Sequence, residues 1–445
     1  MTIPYVYVLH SLIESTIKSN HSSKSLPQTL LPDGKLWAAI TTGILVFDPI
    51  QIRYVGPQLI KIVEIVYHGA EQTSNHVPAI QLLQNLILRL DPQCCTFSVT
   101  HYYYVKLCLY ARAYSEATTL LDFPIYHIPT SESTKTLEKR LGKYLCSQQE
   151  SSLAYINPQS GLSGKITSRV YLEYYFMGAL CYIGTEQWKK AQAFLEVVLV
   201  APTQQNVVSL IMVEAYKKWL LLGLIIQGQP PELPRATSSS VIKHIRILAK
   251  PYECLVDAFK SNKFDLLHAE SQEGLDIWQQ ETNYGLVVEV LDAFRKFSVI
   301  RLSKTFAALP IEEVAQRTSS QPQDVQETLL FVQQLISTGS LQAQITPSQP
   351  DSLGTVRFLP SASAQKTEQQ VERELVTKTL ELKTLLKHIS DYDHQLEVNK
   401  DYLEWLQKLK KARDQDKKAA EKGAKPISGP PVPGDFPDED MMDEW

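Results

Sequence analysis

The residues of this chain best suited to chemistry are ten histidines, six cysteines and one glycine-rich run ahead of a lysine. Two histidines four apart around a glutamate would hold zinc from one helix face and activate a water. No HExxH pair occurs. His388 and His394 are six apart, which puts them on different helix faces and denies them a shared metal without distortion. Asp391 and Asp393 beside them read as the solvated flank of a helix. Cys94, Cys95, Cys108, Cys146, Cys181 and Cys254 show no CxxC or zinc-like spacing. Several lie in apolar stretches beside residues such as Leu107 and Leu180, and they read as buried, reduced thiols of a cytosolic or nuclear protein. A phosphate-cradling loop needs spaced glycines before Lys-Ser or Lys-Thr; Gly161-Leu162-Ser163-Gly164-Lys165-Ile166 lacks both the spacing and the hydroxyl. Nor is it GxSxG, because Gly164 directly follows Ser163. The sequence therefore predicts no catalytic residue, no cofactor and no metal.

What such a chain must position is then other proteins. Its 445 residues exceed what one core usually organises, so two or three structural units are expected. Hydrophobic residues make up 44% and charged residues 21%, an ordinary globular balance. A net charge of −4 gives no global reason to bind nucleic acid or an anionic membrane. Residues 1–13 are apolar but lack a basic n-region and a small-residue cleavage site, so no signal peptide is expected. The most apolar run, from Trp219 to Ile226, is eight residues long, far short of a membrane span, and reads as a core helix.

Residues 1–299 read as helix after helix. Ile80, Leu83, Leu86, Ile87 and Leu90 recur at three- and four-residue steps, the mark of an amphipathic helix. One unit is used twice: Tyr102 to Tyr110 followed by Tyr114, Ala117 and Leu121, and Tyr174 to Tyr182 followed by Trp188, Ala191 and Leu195. Small residues (Gly178, Ala179, Ala191) admit close helix approach, and aromatics wedge between hairpins, as tetratricopeptide-like stacking requires. The fold class expected is mainly α, a helical-repeat solenoid. Residues 147–168, containing Pro158, Gly161 and Gly164, read as a flexible insertion. Pro230, Pro231 and Pro234 mark a stiff turn.

Residues 300–360 change rhythm. Pro310, Glu312 and Glu313 open a short helix, and Pro322 opens another with Val325, Leu329, Val332 and Ile336 on one stripe, closed by Gly339. Leu341, Ala343 and Ile345 alternate with polar residues, as do Val356 and Phe358 across a loop, so two strands follow. This is winged-helix order. A helix reading DNA needs Lys or Arg, yet residues 322–337 contain neither and carry Asp324 and Glu327, so DNA binding is not expected. A short sheet with an open edge can pair with the sheet of another chain, and chiefly the family resemblance that follows makes Leu341, Ala343, Ile345, Val356 and Phe358 the expected interface. The competing reading is a sheet that closes only its own core.

Residues 366–418 read as one helix about 80 Å long. Leu375, Leu382, Ile389, Leu396 and Leu403 repeat every seven residues beside a row of Val371, Lys378, Leu385, Tyr392, Asn399 and Leu406. Packing on the solenoid is one use for this seam. A bundle with helices of other subunits suits its length better, through Leu375, Leu382, Leu385, Ile389, Tyr392, Leu396, Leu403 and Leu406. Its basic end (Lys408, Lys410, Lys411, Arg413, Lys417, Lys418) suits a helix C-terminus. Residues 419–445 read as a disordered acidic tail.

Helical repeats running into a winged helix and a long last helix resemble the PCI family, shared by the proteasome lid, the COP9 signalosome and a translation initiation factor complex. Within it, ordered strings are similar to the signalosome subunit 3 family. They are Tyr174-Tyr175-Phe176-Met177-Gly178-Ala179 with Trp188-Lys189-Lys190-Ala191, Ile211 to Lys218, Leu233 to Ser238, Asn283 to Val287, Ile300 to Phe306, and Pro310 to Arg317. The similarity covers residues 170–345; upstream of Val170 little resemblance is visible. The basic helix end and acidic Met441-Met442 tail depart from the family pattern. The resemblance implies a scaffold in a complex that removes Nedd8 from cullin-RING ubiquitin ligases, in cytoplasm and nucleus. It implies other PCI and MPN subunits as partners and cullin-RING ligases indirectly; the charge balance and the absence of a long apolar run add no expectation of nucleic acid or membrane as partners. The family's chemistry belongs to a zinc subunit of the MPN type marked by His-x-His, which does not occur here. A proteasome-lid subunit is the alternative, which the ordered strings fit less well.

Overall fold

Apolar side chains at helical spacing give helix after helix in a computed structural model that describes residues 2–19, 27–32, 34–129, 152–202, 208–318, 325–346, 354–359, 368–398, 403–404, 406–407 and 410. The chain forms two units, Met1–Gln187 with Leu380–Trp445, and Trp188–Thr379. The division falls inside the stretch expected to be a single solenoid.

The first unit contains α1 (Thr2–Ser19), α2 (Lys35–Val46), α3 (Gly56–Thr73), α4 (Val77–Leu90), α5 (Val99–Tyr110), α6 (Tyr114–Leu121), the single turn α7 (Ser152–Tyr155) and α8 (Ser168–Gly184). Helix α1 packs on α2 and α3, α2 on α4, α3 and α4 on α5, and α5 and α6 on α8. Each element thus buries its stripe against near neighbours in sequence, as in a stacked array. All five members of the α4 stripe, Ile80 to Leu90, are buried. Polar tips of the core tyrosines find partners: the Tyr104 hydroxyl donates to the Glu116 carbonyl at 2.7 Å, and Tyr182 to Asp122 Oδ1 at 2.8 Å. At Gly184 an added Cβ would lie 2.5 Å from the Tyr114 ring, so only glycine admits this approach.

The expected flexible insertion is different where it is described. Ile156, Leu162 and Ser163 are buried, and the Val99 amide donates to the Ser163 carbonyl at 3.0 Å. Residues 160–162 lie against Gly56, where a Cβ would meet the Ser160 carbonyl oxygen at 2.1 Å. Leu162 supplies the apolar anchor that a loose loop lacks. Residues 147–151 lie outside the described residues.

The second unit contains α9 (Trp188–Val200), α10 (Leu210–Gln227), α11 (Ser239–Leu248), α12 (Lys250–Lys260), α13 (Phe264–Glu273), α14 (Leu275–Gln280) and α15 (Tyr284–Thr305). Helix α10 is central, packing on α9, α11, α12 and α15. Its apolar run is core, with Trp219, Leu221, Leu222 and Leu224 buried. Gly228 ends it in the left-handed conformation, and Pro231 of the proline turn packs over Gly223.

Four helix-to-helix turns have one design. Arg112 (φ 55°), Glu186 (58°), Asn262 (58°) and Thr282 (57°) are left-handed at equivalent places after α5, α8, α12 and α14. After three of them the next amide donates to a carbonyl five residues back: Ala113 to Cys108 at 2.9 Å, Gln187 to Tyr182 at 2.9 Å and Asn283 to Trp278 at 2.8 Å. This Schellman closure satisfies otherwise orphaned carbonyls at the end of each helix.

Beyond α15 come β1 (Ala308–Pro310), α16 (Ile311–Thr318), α17 (Val325–Ser337), β2 (Ala343–Thr346) and β3 (Thr355–Phe358), the strands forming an antiparallel sheet in the order β1-β3-β2. The last helix, α18, is described over Glu368–Val398, and helical backbone recurs at 403–404, 406–407 and 410. Residues 411–445, including the expected acidic tail and most of the basic helix end, lie outside the described residues.

Candidate protein-interaction surfaces

Period-two alternation puts Ala343 and Ile345 of β2 on the same face as Val356 and Phe358 of β3, with Ala343 opposite Phe358 and Ile345 opposite Val356. That face covers the helices. Leu341, Ala343, Val356 and Phe358 are buried with Ile311, Val314, Val332 and Leu335, and Ile345 is partly buried against the same cluster. These five side chains, expected at a partner interface, instead close the subdomain's own core. A small sheet needs one whole apolar face to hold two short helices, and none is left over for a partner. What remains for pairing is main chain: among the described residues β2 pairs only with β3, so its other side is an edge.

Helix α17 carries no cation, and the carboxylate of its Glu327 meets Arg295 of α15 at 2.7 Å. The same guanidinium donates to the buried Thr328 hydroxyl at 3.3 Å and lies over the Phe331 ring. Arg295 thus fixes the helix to α15.

Helix α18 leaves its leucines in water. Leu375 is 63% exposed and Leu382 54%, Leu385 and Ile389 are exposed as well, and so are Leu403 and Leu406 in the described residues beyond the helix. A solvated row of this length is an uncovered apolar surface. Tyr392 departs from the expected pattern: its hydroxyl donates to the Tyr126 carbonyl oxygen, and its ring lies 5.1 Å from that of His127. The side chain of Leu396 lies outside the described residues. The His388 ring stacks on Tyr126 at 4.1 Å, and the side chain of His394 lies outside the described residues. No sequence signal marked Tyr126 or His127, because their partners are remote in the chain.

Several charged and nucleophilic groups are engaged internally. Lys217 sits between Glu214 at 2.7 Å and Glu281 at 2.6 Å, and the Tyr252 hydroxyl donates to the other Glu281 oxygen at 2.6 Å. Burial opposes the charge on Lys217, but its two carboxylate partners outweigh that and hold it above the ordinary lysine range. At Lys218 burial wins and lowers the value. The thiols of Cys94, Cys95, Cys108 and Cys181 are buried and free; burial pushes Cys95 up to about 11, far from thiolate reactivity. Cys254 is exposed, contrary to the expectation of a buried thiol. It falls on the outer side of α12, whose inner stripe is Tyr252, Leu255, Val256 and Phe259. No group of three His, Cys, Asp or Glu able to hold a metal occurs among the described residues. No described helix is long and apolar enough to cross a membrane.

Comparison with known proteins matches residues 2–242 to a family described as "COP9 signalosome complex subunit 3, N-terminal helical repeats". The match reaches well ahead of Val170, where sequence reading found little resemblance. A protein of Emericella nidulans named "COP9 signalosome complex subunit 3" is 32% identical over 443 residues, covering 99% of this chain and 87% of that relative. A protein of the same name from Neurospora crassa is 29% identical over 411 residues, covering 90% of this chain and 79% of the relative.

Proposed function

The chain belongs to the COP9 signalosome subunit 3 family, and from that premise we propose that it is a non-catalytic scaffold subunit of that complex. The observation that carries the reading is the exposed leucine row of α18, from Leu375 through Ile389. Exposed aliphatics at seven-residue spacing suit knobs-into-holes packing with other helices, and a surface of that kind gains most by entering a bundle. The strand-helix-helix-hairpin unit acts as a winged helix whose β2 edge pairs with the sheet of a neighbouring PCI subunit. Removal of Nedd8 from cullin-RING ligases is then the work of a zinc-bearing MPN subunit, which this chain helps to place.

The test is affinity purification of the tagged chain with mass spectrometry of what accompanies it. Other PCI and MPN subunits are expected with the native chain. Replacing Leu382, Ile389 and Leu396 together with Asp is expected to strip them away while the far-ultraviolet circular dichroism stays helical. Unchanged co-purification would remove the bundle reading, and recovery of proteasome particles without cullins would replace the complex.

A further inference from the structure

Helix α11 buries Val241, Ile242 and Ile245 within its own unit, so its inner apolar stripe is already used. Its outer face nevertheless holds two branched aliphatic side chains in water, Ile247 at 72% and Leu248 at 57% exposure. Each lies one helical turn beyond an exposed basic residue, Lys243 before Ile247 and His244 before Leu248. Arg246 flanks the Lys243/Ile247 row on the side away from His244, its guanidinium within 3.4 Å of the Tyr216 hydroxyl and 3.6 Å of the Glu253 carboxylate. Lys250 follows at the start of α12, also exposed. From residue 233 to 252 there is no Asp or Glu, in a chain whose net charge is −4.

We propose that this face of α11 docks an acidic peptide with bulky apolar side chains, presented by a partner protein. Charge complementarity selects the peptide: basic residues rim an aliphatic centre, so carboxylates meet the rim while apolar side chains cover Ile247 and Leu248. A lipid surface would need the helix to present an apolar stripe, and that stripe is spent on the core. Single-stranded nucleic acid would need aromatic rings for stacking, and the exposed face of α11 has none beyond the imidazole of His244.

The test uses fluorescence anisotropy with a labelled peptide of the sequence 435–445, which joins six acids to Phe436, Met441, Met442 and Trp445. It is titrated with the full chain and with a chain ending at residue 422, which removes the same sequence as a competitor. Saturable binding is expected, weakened by added salt and reduced about tenfold by Ile247→Asp or by Lys243→Glu. An oligoglutamate of equal charge is expected to bind at least about tenfold more weakly, because it has nothing to place over the aliphatic pair. Both substituted residues are exposed, so thermal melting should not move, and lost binding then reports the surface. Failure of the peptide to bind either chain, or binding untouched by both substitutions, overturns the proposal. Tighter capture of oligouridine or of phosphatidylserine vesicles, lost in the same variants, would assign the face to those ligands instead.

Discussion

His127 and His388, 261 positions apart, meet ring to ring, with Nε2 of one 3.2 Å from Nδ1 of the other. One imidazole must donate and the other accept, so the contact is an N–H···N bond. It holds α18 to the segment after α6, which is itself fixed by the Phe97 amide donating to the His127 carbonyl at 2.8 Å. The stack of His388 on Tyr126 and the Tyr392 bond to the Tyr126 carbonyl complete the attachment.

His388→Ala is expected to loosen that attachment. One hydrogen bond and one ring stack are together worth about 1–2 kcal/mol, or roughly tenfold in local opening. Hydrogen exchange should accelerate by about that factor at residues 385–392, with residues 80–90 of α4 unchanged as the internal control. Equal protection in native and variant chains would show that the contact contributes nothing to the placement of α18.

A second histidine sets a pH dependence. His101 is fully enclosed, its Nδ1 bonded to the Ser98 hydroxyl at 2.9 Å and its Nε2 without a partner among the described residues. Burial pushes its pKa down from 6.5 to about 4, against a smaller opposing effect of Ser98. The unfolded chain therefore binds a proton that the folded chain refuses between those values. Stability is full above pH 6.5 and falls as the pH drops toward 4, by on the order of 3 kcal/mol. Burial raises the Asp91 carboxyl, which works in the opposite sense above its ordinary 3.8. Comparing the native chain with His101→Gln isolates the histidine: urea midpoints should converge as the pH falls through this window. Parallel curves would refute the assignment.

Local signals carried much of this fold and failed in identifiable places. The α4 stripe and the apolar run of α10 were legible because burial acts on a single helix and leaves a period behind. The sheet residues were recognised as strand, but alternation says only that one face is covered, and their own helices cover it. Ala111-Arg112-Ala113 and Thr185-Glu186-Gln187 share no residue at matching positions although they make the same turn, because the repeat there is in backbone angles. His127 and His388 belong to no local pattern. The pairing of β1 was hidden in three residues ending at a proline.

The sheet makes a prediction that separates core from interface. Val356 is fully buried on the central strand between Leu309 of β1 and Ile345 of β2. Val356→Asp would bury a carboxylate with no partner and should unfold the sheet, at about 3 kcal/mol or more. Arg357→Glu, on the exposed face one residue along, should leave the subdomain folded. Limited proteolysis at residues 338–360 distinguishes them; equal resistance of both variants would mean that Val356 is not core.

The left-handed turns give the last prediction. Thr282 is β-branched and sits at φ 57°, where its Cβ crowds the following carbonyl at a cost of about 1–2 kcal/mol. It persists because the Asn283 amide bond to Trp278 and the buried Asn283 bond to the Tyr252 hydroxyl at 2.6 Å fix the turn from outside. Glycine adopts this conformation without strain but loses more backbone entropy on folding, by roughly 0.5–1 kcal/mol. Strain relief is the larger of the two, so Thr282→Gly should raise stability by about 0.5–1 kcal/mol. Thr282→Pro, whose ring fixes φ near −65°, cannot form the turn and should destabilise well beyond that. A higher denaturation midpoint for the glycine variant checks the claim. A lower one would mean that the threonine hydroxyl, which donates to the Glu281 carbonyl at 2.7 Å, outweighs the strain of its backbone.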